Sequence, residues 1–460
     1  MRRRSWRFAV AAAACVLSLG AVARIARADD AADQRIAWWR DAKFGLFMHF
    51  GVYSILGRGE WVQWNEQIPV GEYAKLADRF DPEHFDAGAW AQVARDAGMR
   101  YTVLTSRHHD GFALFDDPES NFTSVRSAFK RDVVAEYVKA VRGAGLRVGL
   151  YYSPLDWRYP GFFFPDLYRD SANAMRDQYH RQMQELLTKY GRLDVLWFDG
   201  GGADWLGFHG VTFGGPNGWH ARPKGVPYTG GFSWGDDEVY AMIRRLQPDA
   251  ISNGRIDAPE DFHSREGDAS LGDFDNAKPW ELCTTLAGAW GYQANAKVKP
   301  LDRCIQLLVG AVGRDGNLLL NVGPRPDGVI DPPQVARLKE IGDWLKANGE
   351  SIYGTRGGPF LPGAFGVSTY RGRTIYVHVL HPPAPTAGDA AGVTLTLPPI
   401  PAKVLRCRQL GGNPASCAQA DAGLTITFTP DPARLDAIVA LELDRDVAGI
   451  APVSTTRPSK

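Results

Sequence analysis

A carboxylate set between an apolar run and a string of glycines is the feature of this chain best placed to do chemistry. Leu193-Asp194-Val195-Leu196-Trp197-Phe198 has the composition of a strand buried on both faces, and Asp199 follows it directly, before Gly200, Gly201 and Gly202. Barrel enzymes carry their reactive groups at the C-terminal ends of buried parallel strands, and glycines allow a sharp turn and close approach by a ligand. Asp199 is therefore a candidate nucleophile; the competing reading is an Asp that caps the following turn. Other apolar runs also end in chemistry. His49 follows Phe44–Met48, Arg107-His108-His109-Asp110 comes just after Tyr101–Leu104, Tyr151-Tyr152-Ser153 closes Val148–Tyr151, and Asn253-Gly254-Arg255 follows Ala250–Ser252. Zinc is a rival use of His49, His108 and His109, but no helix carries them at i, i+4 spacing and no C-x-x-C accompanies them.

Five strand ends that deliver polar or aromatic groups to one rim need a scaffold that gathers them. The apolar runs, completed by Leu318–Val322, alternate with amphipathic helical patterns at Val70–Phe80, Ala87–Ala97, Arg131–Ala144, Ala174–Tyr190, Asp236–Leu246 and Pro333–Ala347. Gly145 and Gly191 stand where helix C-termini want glycine. This alternation over about 300 residues predicts a parallel α/β fold. A barrel brings every strand end to one mouth, whereas an open sheet concentrates its ligand at one crevice, so the pattern favours a barrel. Two long connections, Trp157–Ser171 and Gly200–Trp234, read as loops that wall the mouth, with an excursion over the surface as the alternative.

After residue 354 the period changes to two. Thr374–Leu380, Gly392–Leu397, Val404–Gln409, Leu424–Phe428 and Ala437–Leu443 are separated by Gly, Pro and Asp turns, which predicts an antiparallel β-sandwich over 355–446, with a flexible tail at 447–460. Cys407 and Cys417 are close enough in sequence to pair in an oxidising compartment. Arg2, Arg3, Arg4 and Arg7, the apolar run Ala9–Ala23 and Ala26-Arg27-Ala28 predict a signal peptide over 1–28, hence export to the periplasm or beyond by the general or the twin-arginine route. Six of the 52 basic residues fall in that leader, which leaves 46 against 52 acidic ones and a net charge of −6. That balance argues against nucleic acid or an anionic membrane as partner. Fourteen Trp, 16 Tyr and 22 Phe suit a protein that stacks on sugar rings.

Several segments together resemble the α-L-fucosidases of glycoside hydrolase family 29. They are Lys43-Phe44-Gly45-Leu46-Phe47-Met48-His49-Phe50-Gly51, Gly59-Glu60-Trp61, Ser106-Arg107-His108-His109-Asp110-Gly111-Phe112, Gly149-Leu150-Tyr151-Tyr152-Ser153, Trp197-Phe198-Asp199-Gly200, Asn317 to Pro324 and Tyr353-Gly354-Thr355. The resemblance implies an irregular (β/α)8-like, TIM-type barrel over 29–354, followed by the sandwich. It also implies exo-acting release of α-L-fucose from a fucosylated glycan with retention of configuration, and neither metal nor cofactor. It places Asp199 as nucleophile, His49, Glu60, His108, His109, Tyr151 and Arg255 on the sugar's polar groups, and Trp61, Trp197 and Trp290 as apolar walls, apt for the C6 methyl of fucose.

Retaining hydrolysis needs a second carboxyl about 5–5.5 Å from the nucleophile. Asp261-Phe262-His263-Ser264-Arg265-Glu266 is similar to the family's Asp-Phe-x-Thr-Pro-Glu pattern, which makes Glu266 the acid/base candidate, with Ser264-Arg265 in place of Thr-Pro. Arg265 would favour the carboxylate unless it points away. Glu281, in Pro279-Trp280-Glu281, and Glu260 are the alternatives; the bland reading of each is a solvated loop residue or a partner of Lys278. Two other functions stay open at this point: a barrel glycosidase acting on a related sugar, and a fucose-binding protein that has lost its acid.

Overall fold

A computed structural model describes residues 31–201, 232–382, 392–412, 414–431 and 434–455. The leader at 1–28, most of the Gly200–Trp234 connection and residues 456–460 of the tail lie outside the described residues.

Eight strands form one parallel sheet: β1 (Phe44–Met48), β2 (Tyr101–Arg107), β3 (Arg147–Tyr152), β4 (Val195–Phe198), β5 (Ile251–Ser252), β6 (His263–Glu266), β7 (Trp280–Thr285) and β8 (Asn317–Val322). Their spatial order is β5-β4-β3-β2-β1-β8-β7-β6. The curl is closed between β5 and β6 by a single parallel bridge, Asn253 to Phe262, and Asp261 reinforces it by accepting from the Ser252 amide at 2.9 Å. The barrel expected from the strand-end pattern is therefore present. Its irregularity is local: β5, β6 and β7 follow one another without an intervening α-helix, linked by loops and a short 3-10 turn at Asp268–Leu271.

Helices Ala87–Asp96, Val133–Gly143, Arg169–Lys189, Asp236–Leu246, Leu301–Gly313 and Pro332–Asn348 cover the outside. Two are started by carboxylates: Asp86 accepts from the Gly88 and Ala89 amides, and Asp132 from that of Ala135. Gly145 and Gly191 do sit just past helix ends with φ of 74° and 70°, the left-handed geometry that side chains resist.

Two predictions need correction. Trp157–Ser171 is not a bare loop; it contains a helical turn at Pro160–Phe163 and the start of the next helix, and Trp157, Phe162, Phe163 and Phe164 are fully buried. So many adjacent aromatics stabilise the segment by burial, at about 25 cal/mol for each Å² removed from water. The tail is docked as far as residue 455: Val453 exchanges main-chain bonds with Pro359 and Leu361, and the Thr455 hydroxyl donates to the Leu361 carbonyl.

The C-terminal strands are β9 (Arg356–Gly357), β10 (Gly366–Arg371), β11 (Thr374–Val379), β12 (Val393–Leu397), β13 (Val404–Gln409), β14 (Ala415–Ala420), β15 (Gly423–Phe428) and β16 (Ala437–Leu443). They make antiparallel sheets in the orders β13-β16-β11-β10-β9 and β12-β15-β14. Ile375, Val377, Val439 and Leu441 from one sheet share a core with Val393, Leu395, Leu424 and Ile426 from the other. A disulfide between Cys407 on β13 and Cys417 on β14 staples the two sheets. Asp315 anchors this domain beneath the barrel, accepting from Arg40 and from the Gly357 amide.

Candidate active site

Asp199 leaves β4 at the barrel's C-terminal end because the strand is forced to stop there. The Asn253 side chain takes both main-chain polar groups of Phe198, at 2.7 and 2.9 Å, and Gly200 turns the chain at φ 81° where a Cβ would strike Leu155. Among the described residues the carboxylate is bonded to side chains and to no amide of the turn. Oδ1 accepts from Arg255 Nη1 at 2.8 Å, Oδ2 accepts from the Tyr151 hydroxyl at 3.0 Å, and His109 Nε2 stands 3.5 Å from Oδ2. Burial acts to raise the Asp199 pKa, but Arg255, then His109 and Tyr151, outweigh it and hold the carboxyl below its ordinary value.

Arg255 is the hub. Its Nη2 donates to Glu266 Oε2 at 2.7 Å, its Nε to the Ser264 hydroxyl at 3.0 Å, and its guanidinium lies 4.8 Å over the Trp197 ring. Glu266, at the end of β6, is 45% exposed at its side chain, open to the mouth. Arg265 points away from it, donating to Asp275 and the Leu271 carbonyl and stacking on Trp280. The Ser-Arg pair in place of Thr-Pro thus has a structural use: Ser264 braces Arg255 while Arg265 leaves the site.

Three histidines line the same cavity. Burial lowers the His49 pKa to about 3 and that of His109 to about 4, and pushes His108 well below its usual value, so all three are neutral near pH 7. Their tautomers follow from their partners. Asn321 donates to the Trp290 carbonyl at 2.7 Å, which turns its Oδ1 to His49 Nδ1, also at 2.7 Å; the proton is on Nδ1 and Nε2 is an acceptor. His109 is the opposite: Nδ1 pairs with the Ser153 hydroxyl at 2.6 Å, and the proton is on Nε2, facing Asp199. The site therefore offers both kinds of hydrogen-bonding group to sugar hydroxyls without further charge.

The cavity and the open space at its mouth together make up about 370 Å³, lined by His49, Trp61, His108, His109, Tyr151, Trp197, Asp199, Arg255, Glu266 and Trp290, together with Phe47. Every sequence-designated site residue is there except Glu60, which lies buried behind the wall, accepting from the Gly291 amide at 2.7 Å. Burial raises its pKa to about 7. Phe47 was missed, although it stands two residues before His49 on one strand and so shares its face. The alternative carboxylates separate clearly. Glu260 lies 3.9 Å from Lys278, as the bland reading had it, whereas Glu281 is fully buried on β7, beneath the cavity rather than on a loop. Among the described residues no cluster of His, Cys, Asp or Glu is arranged to hold a metal ion.

Carboxylates and neutral hydrogen-bonding groups gathered among aromatic rings at a barrel mouth suit the hydrolysis of a glycoside, and the protein is a glycoside hydrolase. The sequence narrows this class further. The chain belongs to the α-L-fucosidase family, whose sequence model matches residues 22–350. It is 32% identical to the plasma α-L-fucosidase of Rattus norvegicus over 69% of this chain and 70% of that one, and 30% identical to the tissue α-L-fucosidase of Bos taurus over 82% and 80%. Among solved structures, α-L-fucosidase isoenzyme 1 from Paenibacillus thiaminolyticus has a TM-score of 0.72 at 31% identity, covering 90% of this chain and 100% of its own. A family 29 α-L-fucosidase from Bacteroides thetaiotaomicron, a trapped covalent intermediate with 2-fluoro-fucosyl fluoride, has a TM-score of 0.75 at 25% identity, covering 89% and 96%.

Proposed function

We propose that the protein is an exported, exo-acting, retaining α-L-fucosidase that removes terminal α-L-fucose from glycans by double displacement. The observation that carries this reading is the Asp199–Arg255–Glu266 bridge, since one guanidinium reaches both carboxylates only when they are a few ångströms apart. Such a shared partner is compatible with the separation of about 5–5.5 Å that retaining enzymes use. Asp199, kept ionised, attacks the anomeric carbon while Glu266, which enters the step protonated and released from its ion pair with Arg255, protonates the leaving glycosidic oxygen, so the C–O bond breaks as the fucosyl ester forms. Glu266, now a carboxylate, takes a proton from water; the water oxygen displaces Asp199 and releases fucose with its original configuration. The covalent intermediate trapped in the Bacteroides relative supports this two-step course.

A small cavity walled by Phe47, Trp61, Trp197 and Trp290 supports exo action. His49, His108, His109 and Tyr151 read hydroxyls, and Glu60 supports that wall from behind through Gly291. Export rests on the leader pattern at 1–28, and a net negative mature chain suits a free glycan better than a nucleic acid or an anionic membrane.

The test is a panel of nitrophenyl glycosides, with the anomer first released followed by NMR. Turnover on the α-L-fucoside with α-L-fucose appearing first is expected. Turnover on another sugar alone would overturn the substrate, and β-L-fucose appearing first would overturn retention.

A further inference from the structure

Glu281 is a buried carboxylate that the reaction above does not use. It lies on β7 inside the barrel, 1% exposed, where Trp197 Nε1 donates to its Oε1 at 3.1 Å and the Tyr101 hydroxyl to its Oε2. A buried carboxylate without a cation is costly, so two neutral donors converging on it call for an explanation beyond packing.

The explanation lies one layer up. Trp197 lines the cavity, and both groups that hold the Asp199 carboxylate rest against its ring. Tyr151 stacks on it, centroids 5.6 Å apart and planes 18° apart, and Arg255 lies over it. Tyr151 and Arg255 then donate to the two oxygens of Asp199. An indole ring in a wide barrel can tilt unless its N–H is tied down, and a tilt would carry both donors with it.

We propose that Glu281 is a positioning residue for the fucosidase reaction: by fixing the Trp197 indole N–H from beneath, it sets the platform on which Tyr151 and Arg255 aim Asp199 at the anomeric carbon. This rests on the reading of Asp199 as nucleophile. Misplacement by a fraction of an ångström costs most in the transition state and little in ground-state binding.

The test is a double-mutant cycle between Glu281→Met, of similar reach without an oxygen, and Trp197→Phe, which keeps a ring and loses the donor. The readouts are kcat/KM on an aryl α-L-fucoside and Ki for L-fucose. Glu281→Met, which touches no sugar, is expected to lose about tenfold to hundredfold in kcat/KM with Ki within about threefold. Trp197→Phe is expected to lose at least as much in kcat/KM, and its Ki is not read because the ring walls the cavity. The double variant is expected to be no slower than the slower single one. Losses that multiply in the double variant, a Ki that weakens as much as kcat/KM in Glu281→Met, or a wild-type rate in Trp197→Phe would each overturn it. If Glu281→Met does not fold, Glu281→Gln decides in its place: its amide oxygen still accepts from the Trp197 indole N–H, so a near wild-type kcat/KM is expected, and a loss as large as that of Trp197→Phe would overturn the proposal. Asp199→Ala, run alongside, separates the two ideas: turnover surviving in that variant would sink the nucleophile reading, while the cycle still reports whether Glu281 acts through Trp197.

Discussion

Asp199 and Glu266 are held by the two terminal nitrogens of one guanidinium, that of Arg255, at 2.8 and 2.7 Å. The two groups proposed for nucleophile and acid/base therefore do not find their separation independently. A rigid planar fork imposes it, and the fork is itself fixed by Ser264 below and Trp197 at its face.

Arg255→Met should therefore do more than weaken binding. Burial opposes ionisation of Asp199 and Arg255 is the foremost group countering it, so its removal raises the Asp199 pKa. The acid limb of the kcat/KM profile should move to higher pH, and the rate at pH 7 should fall on the order of 10²-fold. Arg255→Lys, which keeps the charge and loses the fork, should recover the acid limb better than the rate. An acid limb that stays in place in Arg255→Met would mean that Asp199 is not the group whose ionisation is being read.

Asp199→Ala should lose on the order of 10³-fold or more in turnover, yet bind L-fucose and melt near the wild-type temperature. Among the described residues its oxygens contact side chains rather than amides, and the backbone at Phe198 has its own support from Asn253. Azide should restore part of the activity by entering the space left by the carboxylate. Loss of folding would instead assign Asp199 to the structure of the loop.

Glu266→Ala should separate substrates by leaving group. An acid is needed where the departing oxygen is basic, and such assistance contributes about 10²–10⁴-fold. Natural glycosides should therefore suffer far more than nitrophenyl fucosides. An equal loss on both would remove Glu266 from the acid/base role and return attention to the other carboxylates.

The barrel and most of the cavity were legible because strand-end residues announce themselves: an apolar run, then His49, His109, Tyr151 or Asp199. What was not legible follows from the same rule. β6 is the strand at the barrel's seam, and its residues His263-Ser264-Arg265-Glu266 are exposed or half-buried, so no apolar run marks it. β7 is broken at its second position by Glu281, whose partners Tyr101 and Trp197 are distant in sequence and cannot be paired with it from local pattern. Helix Leu301–Gly313 carries its polar residues, Asp302, Arg303 and Gln306, only in its first half, and is buried throughout from Leu307 to Gly313, so its second half shows no polar face. Glu60 was assigned to the sugar, and its bond to the Gly291 amide, 231 residues away, could not be read from local pattern.

Glu281 also provides a stability test that does not depend on activity. Burial raises its pKa to about 7 from an ordinary value near 4.5, which means that the folded chain holds this proton more tightly than the unfolded chain does. Its contribution is complete below about pH 4.5 and is lost as the pH rises through about 7. The buried histidines have the reverse dependence, since their lowered values make the unfolded chain the better proton acceptor between about pH 4 and 6.5, so the wild-type profile mixes both. Comparison with Glu281→Gln isolates one group: the amide does not titrate, and the histidines are common to both proteins. The variant's stability relative to wild type should therefore grow between about pH 4.5 and 7, by on the order of 1–3 kcal/mol, and level off above that. Denaturant unfolding at several pH values measures it directly. A difference that stays constant with pH would show that Glu281 remains ionised in the fold, in which case the Trp197 and Tyr101 donors stabilise the carboxylate strongly enough to offset its burial.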